Sequence, residues 1–161
     1  MVVLVEDNPA DVFLVEEALR LHGLALRLVV LDDGEKAIQW IAENDAPQGT
    51  PRPAAMILDL NLPKRTGAEV LGKLRDSQAL RDTPVIIFTS SSSYRDRALS
   101  DSYPHTRYVC KSADYDEFME IGGVLKNDVC NPFSVERTIG QVCPVAEQFF
   151  HLANQAPVFD H

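Results

Sequence analysis

Ala55-Met56-Ile57-Leu58-Asp59-Leu60-Asn61-Leu62-Pro63 decides the fold. The run is apolar and short, is entered from proline-rich sequence, and is left through Asn61 and Pro63, so it predicts a buried strand that stops at its own acidic residue. Asp59 then stands at the carboxyl end of a strand. In an open parallel sheet ligands gather at that edge, where a carboxylate can serve as metal ligand, base or nucleophile. Taken alone, Asp59 reads more simply as the first residue of a turn. The rest of the chain changes that balance.

Upstream, Val2 to Val5 predicts another buried strand, followed at once by Glu6-Asp7-Asn8-Pro9-Ala10-Asp11. Asn8 as N-cap, Pro9 at the first helical position and Asp11 in the first turn form a helix start, and the helix runs to about His22 with Gly23 as its stop. Ala25 to Val30 predicts a second strand, and Asp33-Gly34 opens a helix through about Glu43. Residues Asn44 to Pro53 carry three prolines and a glycine and form a long loop.

Downstream of Asp59, Gly67 to about Asp76 is helical, with Val70, Leu71 and Leu74 on one face. Pro84 to Phe88 is a strand ending at Thr89, and a short polar helix spans about Tyr94 to Ser102. Arg107 to Cys110 is a fifth strand ending at Lys111. Asp114 and Glu117 match a capping box for a helix beginning near Tyr115. Gly122-Gly123 lowers helix propensity there, although Phe118, Ile121, Leu125 and Val129 keep helical spacing, and Asn131-Pro132 ends the helix. Pro144 interrupts the next segment, and Val145 to Asn154 is a candidate last helix. Five strands alternating with helices indicate an α/β fold, a parallel sheet covered on both faces.

A chain of 161 residues, 45% hydrophobic and 24% charged, suits one domain with a full core. A formal charge of -9 opposes nucleic-acid binding and directs attention to protein or cation partners. No apolar run approaches the ~20 residues of a membrane span. Cys110, Cys130 and Cys143 form no CxxC pair, which suits reduced thiols and a cytoplasmic location. None of the four histidines reads as a zinc ligand.

Four of the predicted strands end in residues with chemistry: Glu6 and Asp7, Asp59, Thr89, and Lys111. Parallel strands share a carboxyl edge, so these side chains converge. Separately, Glu6 and Asp7 are helix-capping anions, Thr89 a loop start and Lys111 a solvated charge; together at one edge those readings are collectively improbable. Three carboxylates there repel one another and call for a hard cation, for which oxygen ligands suit Mg²⁺ better than zinc. An ionised Asp59 beside Mg²⁺ can attack a phosphoryl group, with Lys111 and the Thr89 hydroxyl binding its oxygens. The first strand is followed by an acidic turn and no glycine-rich one, which favours a cation over a nucleotide there.

These residues resemble the CheY-like receiver domain of two-component response regulators. The resemblance rests on Leu4-Val5-Glu6-Asp7-Asn8-Pro9, on Leu58-Asp59-Leu60-Asn61-Leu62-Pro63 with Gly67, on Phe88-Thr89-Ser90, and on Tyr108-Val109-Cys110-Lys111. It covers residues 1–131 and leaves 132–161 as a C-terminal extension that serves dimerisation or covers the sheet's edge. It implies a doubly wound, flavodoxin-like sheet of order 2-1-3-4-5. It also implies that Asp59 accepts phosphate from a histidine kinase, that Glu6, Asp7, Asp59 and the Asn61 carbonyl hold Mg²⁺, and that Thr89 and Tyr108 form a switch pair.

Asn8-Pro9-Ala10-Asp11, the long loop and Lys111-Ser112-Ala113-Asp114 are most similar to the stand-alone regulators of phytochrome kinases, which implies a phytochrome partner; a homodimer is the expected assembly. Ser112 stands where most receivers carry proline, and a cis bond there costs about 2.5 to 4 kcal/mol. Two alternatives remain at this point: a phosphorylation-independent interaction module, and an aspartate-nucleophile phosphatase. The second needs an Asp two positions after the nucleophile, where this chain has Asn61.

Overall fold

A computed structural model describes residues 1–46 and 52–130. Its elements, in chain order, are β1 (Val2–Val5), α1 (Pro9–Leu21), β2 (Leu28–Leu31), α2 (Gly34–Asn44), β3 (Ala55–Leu58), α3 (Gly67–Asp76), β4 (Val85–Thr89), α4 (Tyr94–Ser102), β5 (Thr106–Cys110) and α5 (Tyr115–Cys130). All strand pairs are parallel, in the order β2-β1-β3-β4-β5, so the expected doubly wound fold is present.

The central strands carry no polar face because both of their faces are covered. Val3, Val5, Met56, Leu58, Val85 and Ile87 point one way and pack with Ala37 and Ile41 of α2 and with Val70, Leu71 and Leu74 of α3. Val2, Leu4, Ala55, Ile57, Ile86 and Phe88 point the other way, against Val15, Ala18 and Leu19 of α1 and Phe118, Ile121 and Leu125 of α5. The period-2 alternation of strands thus splits one apolar sequence into two cores.

Helix starts match the side chains that the sequence supplies. Asn8 accepts from Ala10 N, Asp33 from Lys36 N, and Thr66 and Glu69 form a reciprocal capping box. At α5 the box is modified. Asp114 Oδ1 accepts from Glu117 N at 3.1 Å, but Glu117 reaches the Ser112 hydroxyl at 2.6 Å, and that hydroxyl in turn accepts from Asp114 N at 3.1 Å. Ser112 therefore completes the cap, and the Lys111–Ser112 bond is trans like every other described peptide bond.

Two expectations shift. The second strand is Leu28–Leu31 rather than Ala25 to Val30, because its ladder begins only where Val2 faces Leu28. The fifth gains Thr106, which faces Val85. The helix expected to run through Gly122-Gly123 does so, because tertiary packing outweighs propensity. The expected end at Asn131-Pro132, the helix at Val145 to Asn154, the extension 132–161 and part of the long loop lie outside the described residues.

Gly122 is required where α5 crosses α1: a Cβ there would lie 2.5 Å from both the Ala18 carbonyl oxygen and His22 Nδ1. Lys126 Nζ donates to the His22 carbonyl at 3.2 Å across the same crossing. On the opposite side, Asp45 caps the end of α2 and accepts from the Ser77 hydroxyl at 2.6 Å and Ala79 N at 2.8 Å. Arg75 fastens the amino ends of two strands. Its Nη1 donates to the carbonyls of Arg81 and Thr83 (2.7 and 2.8 Å), and its Nη2 to the His105 carbonyl and Thr106 hydroxyl (3.1 and 3.0 Å). Burial pushes this guanidinium down to about 10.

Gly122→Ala should lower the free energy of unfolding by about 1–3 kcal/mol in urea titrations, because the added methyl meets backbone. Gly123→Ala, whose Cβ meets only side-chain atoms, the His22 ring at 3.3 Å and Glu120 Oε2 at 3.7 Å, should fall within about 1 kcal/mol of wild type. Asp45 makes stability depend on pH. The Ser77 hydroxyl, followed by Ala79 N, holds the Asp45 carboxyl below its ordinary 3.8. That contribution is fully present above 3.8 and is lost as pH falls through the lower folded-state value. The stability advantage of wild type over Asp45→Asn should therefore be present at neutral pH and vanish in acid.

Candidate functional site

Each of three charged residues is the first beyond its strand and is still held by the neighbouring strand's ladder. Glu6 N donates to the Leu31 carbonyl (3.0 Å), Asp59 N to the Val5 carbonyl (3.0 Å), and Lys111 N to the Thr89 carbonyl (2.8 Å). The parallel register thus delivers three side chains to one rim.

Lys111 Nζ lies 2.6 Å from Asp59 Oδ2, 2.6 Å from Glu6 Oε2 and 2.8 Å from Asp11 Oδ2. The lysine side chain is 9% exposed, and those of Glu6 and Asp59 are 3% and 7% exposed, so these pairs are screened little by solvent. Burial by itself would depress the lysine, but its hydrogen bonds to Asp11, Asp59 and Glu6 outweigh that and hold it above its ordinary value. Glu6 is held above the usual carboxylate range by burial, against the opposing pull of the same ammonium. One positive charge shared among three carboxylates leaves the rim strongly negative.

The remaining oxygen of Asp59, Oδ1, accepts from Asn61 N at 2.9 Å, which turns the chain away from the strand. The β3–α3 loop then folds back. Gly67 N donates to the Leu60 carbonyl at 3.0 Å, and a Cβ on Gly67 would collide with the Asp59 carbonyl and come within 2.7 Å of Leu60 Cα. Only glycine permits that return. Lys64, at φ 64°, reaches Asp33 Oδ2 at 2.6 Å and pins the loop to the start of α2.

Thr89 is fully buried, and its hydroxyl accepts from Asn61 Nδ2 and from Ser91 N, both at 3.4 Å. The Ser91 carbonyl accepts from the Tyr108 hydroxyl, so the Ser91 backbone, through its N–H on one side and its carbonyl on the other, joins Thr89 to Tyr108. The Arg97 guanidinium lies 5.2 Å from the centre of the half-buried Tyr108 ring.

Of the residues expected to converge, Glu6, Asp59 and Lys111 meet directly, and Asn61 and Thr89 meet each other beside them. Asp7 is exposed and joins none of the ion pairs among the described residues, and Tyr108 connects to the rim through Ser91. Asp11 and Ser91 were not anticipated. Asp11 reads in sequence as an anion for the helix dipole, yet a helical Cβ tilts toward the N-terminus, so a third helical residue can cover the preceding strand end.

Among the described residues no set of three or more His, Cys, Asp or Glu side chains is arranged around a metal position. The donor chemistry nevertheless suits a hard divalent cation. Glu6, Asp7 and Asp59 offer carboxylate oxygens, Asn61 a carbonyl, and the single ammonium leaves negative charge uncompensated.

Among the described residues no helix is long and apolar enough to cross a membrane. The chain is 34% identical over 125 residues to the response regulator Rcp1 of Synechocystis sp., covering 77% of this chain and 85% of that protein. The crystal structure of the Mn(2+)-bound form of Rcp1 superposes with a TM-score of 0.68 at 32% identity, covering 78% of this chain and 91% of that one. The phosphorylated cyanobacterial phytochrome response regulator RcpA superposes with a TM-score of 0.71 at 30% identity, covering 81% and 94%. Residues 2–121 match the response regulator receiver domain, and with the sheet order and converging strand ends described above the chain belongs to that family.

Proposed function

We propose that this protein is a phosphoacceptor that takes a phosphoryl group on Asp59 from a histidine kinase and signals by contact with other proteins. The observation that carries the reading is the buried Asp59 carboxylate held 2.6 Å from Lys111 at a rim shared with Glu6. An Asp59 oxygen attacks phosphorus, the bond from phosphorus to the donor atom breaks, and the leaving group departs with its electron pair. Lys111 and the Thr89 hydroxyl bind oxygens of the transferred group.

Glu6, Asp7, Asp59 and the Asn61 carbonyl would hold Mg²⁺, which supplies charge neutralisation when bound. Mn²⁺ in Rcp1 and phosphorylation of RcpA support both parts of the reading. Thr89 and Tyr108 serve as the switch pair, with the Ser91 peptide between them passing a change at the rim to the aromatic ring.

The phytochrome response regulator RcpA supports a phytochrome as the kinase partner, and the proposal includes a homodimer, which light scattering tests. Asn61 donates to Thr89 and carries no carboxyl group to protonate a leaving alcohol, so self-limited phosphoryl transfer fits better than phosphatase turnover.

Incubation with acetyl phosphate and Mg²⁺ should add one phosphoryl group by intact-mass measurement. Asp59→Asn or chelation of the cation should abolish that gain. An undiminished gain in Asp59→Asn would reject the assignment, and light scattering on the same samples tests the homodimer.

A further inference from the structure

We propose that Asp11 is a positioning residue for Lys111, holding its amine over Asp59 while the other two partners are engaged elsewhere. The inference rests on Asp59 being the phosphoacceptor. An ammonium has three N–H donors, and all three are taken, by Glu6 Oε2, Asp59 Oδ2 and Asp11 Oδ2. Glu6 and Asp59 both belong to the set that would hold the cation, and Asp59 also receives the phosphoryl group. Only Asp11 lies outside that set. It is therefore the one carboxylate among the three whose hold on the lysine does not compete with the chemistry.

The platform under Asp11 is fixed. Asn8 caps α1 by accepting from Ala10 N at 3.1 Å, and Asn8 N itself donates to Glu6 Oε1 at 3.1 Å. Pro9 sets the first helical position, and Val12 N closes the turn on the Asn8 carbonyl at 3.1 Å. Asp11 is thus tied by a few short links to the strand end that carries Glu6. Lysine, by contrast, has a flexible four-carbon stem, and its amine is confined only by what it binds. Asp11 joins the rigid element to the mobile one, and its side chain, 21% exposed, lies at the outer side of the buried pair formed by Glu6 and Asp59.

The test uses the full chain with Asp11→Ala and Asp11→Glu, each checked for folding by thermal melting. In metal-free protein the ¹⁵N-resolved ammonium signal of Lys111, assigned by its loss in Lys111→Arg, should be sharp in wild type and Asp11→Glu and broadened in Asp11→Ala. With acetyl phosphate, Asp11→Ala should lower the phosphorylation rate at saturating Mg²⁺ by about tenfold and change the half-saturating Mg²⁺ concentration by less than about threefold, with Asp11→Glu recovering most of the rate.

An unchanged ammonium signal with an unchanged rate overturns the proposal. So does a raised Mg²⁺ requirement with an unchanged saturating rate, which would make Asp11 part of the cation's field. A wild type that accepts no phosphoryl group overturns this inference together with the functional reading. A phosphorylated wild type with an indifferent Asp11→Ala overturns this inference alone.

Discussion

The structure around the rim depends on one ammonium group shared among three carboxylates. Removing carboxylates from water is costly, and doing so in a cluster adds mutual repulsion. Glu6 and Asp59 are tolerable inside the fold because Lys111 lies within hydrogen-bond distance of both and each also accepts from a backbone N–H. The arrangement remains undercompensated, and burial still holds Glu6 above the usual carboxylate range. A site in that condition is poised for a further cation. The backbones of Glu6, Asp59 and Lys111 are placed by ladder hydrogen bonds continued one step past their strands, whereas Asp11 comes from the first turn of α1.

The fold was largely legible because fully covered parallel strands announce themselves as short apolar runs. Val2 to Val5, Ala55 to Leu58 and Val85 to Phe88 have no other plausible burial. The second strand was misplaced because Ala25 and Leu26 are as apolar as Leu28. Which of them enters the ladder is settled by Val2 on another segment, and no local pattern carries that. Gly122 is legible only in part. Its lack of a side chain reads as weakness in a helix, and only the close approach of Ala18 and His22 turns it into a requirement.

At the rim, the residues that end strands were readable, since a parallel sheet sends all its carboxyl ends to one edge. Asp11 was not, because its role comes from the tilt of side chains in the first turn of α1 and from a lysine one hundred residues later in the chain. Ser91 was invisible for a different reason: it acts through its peptide N–H and carbonyl, which any residue carries, while its side chain turns to Asp96.

Arg75 has a mechanical consequence. By joining the approaches to β4 and β5 at their amino ends, it ties the two strands together at the end remote from Asp59. Sliding one strand along the other would break several of these bonds at once. The same ladder runs on to the far end, where Lys111 N meets the Thr89 carbonyl, so a single guanidinium remote from the chemistry helps fix the alignment that brings Thr89 and Lys111 out at one level.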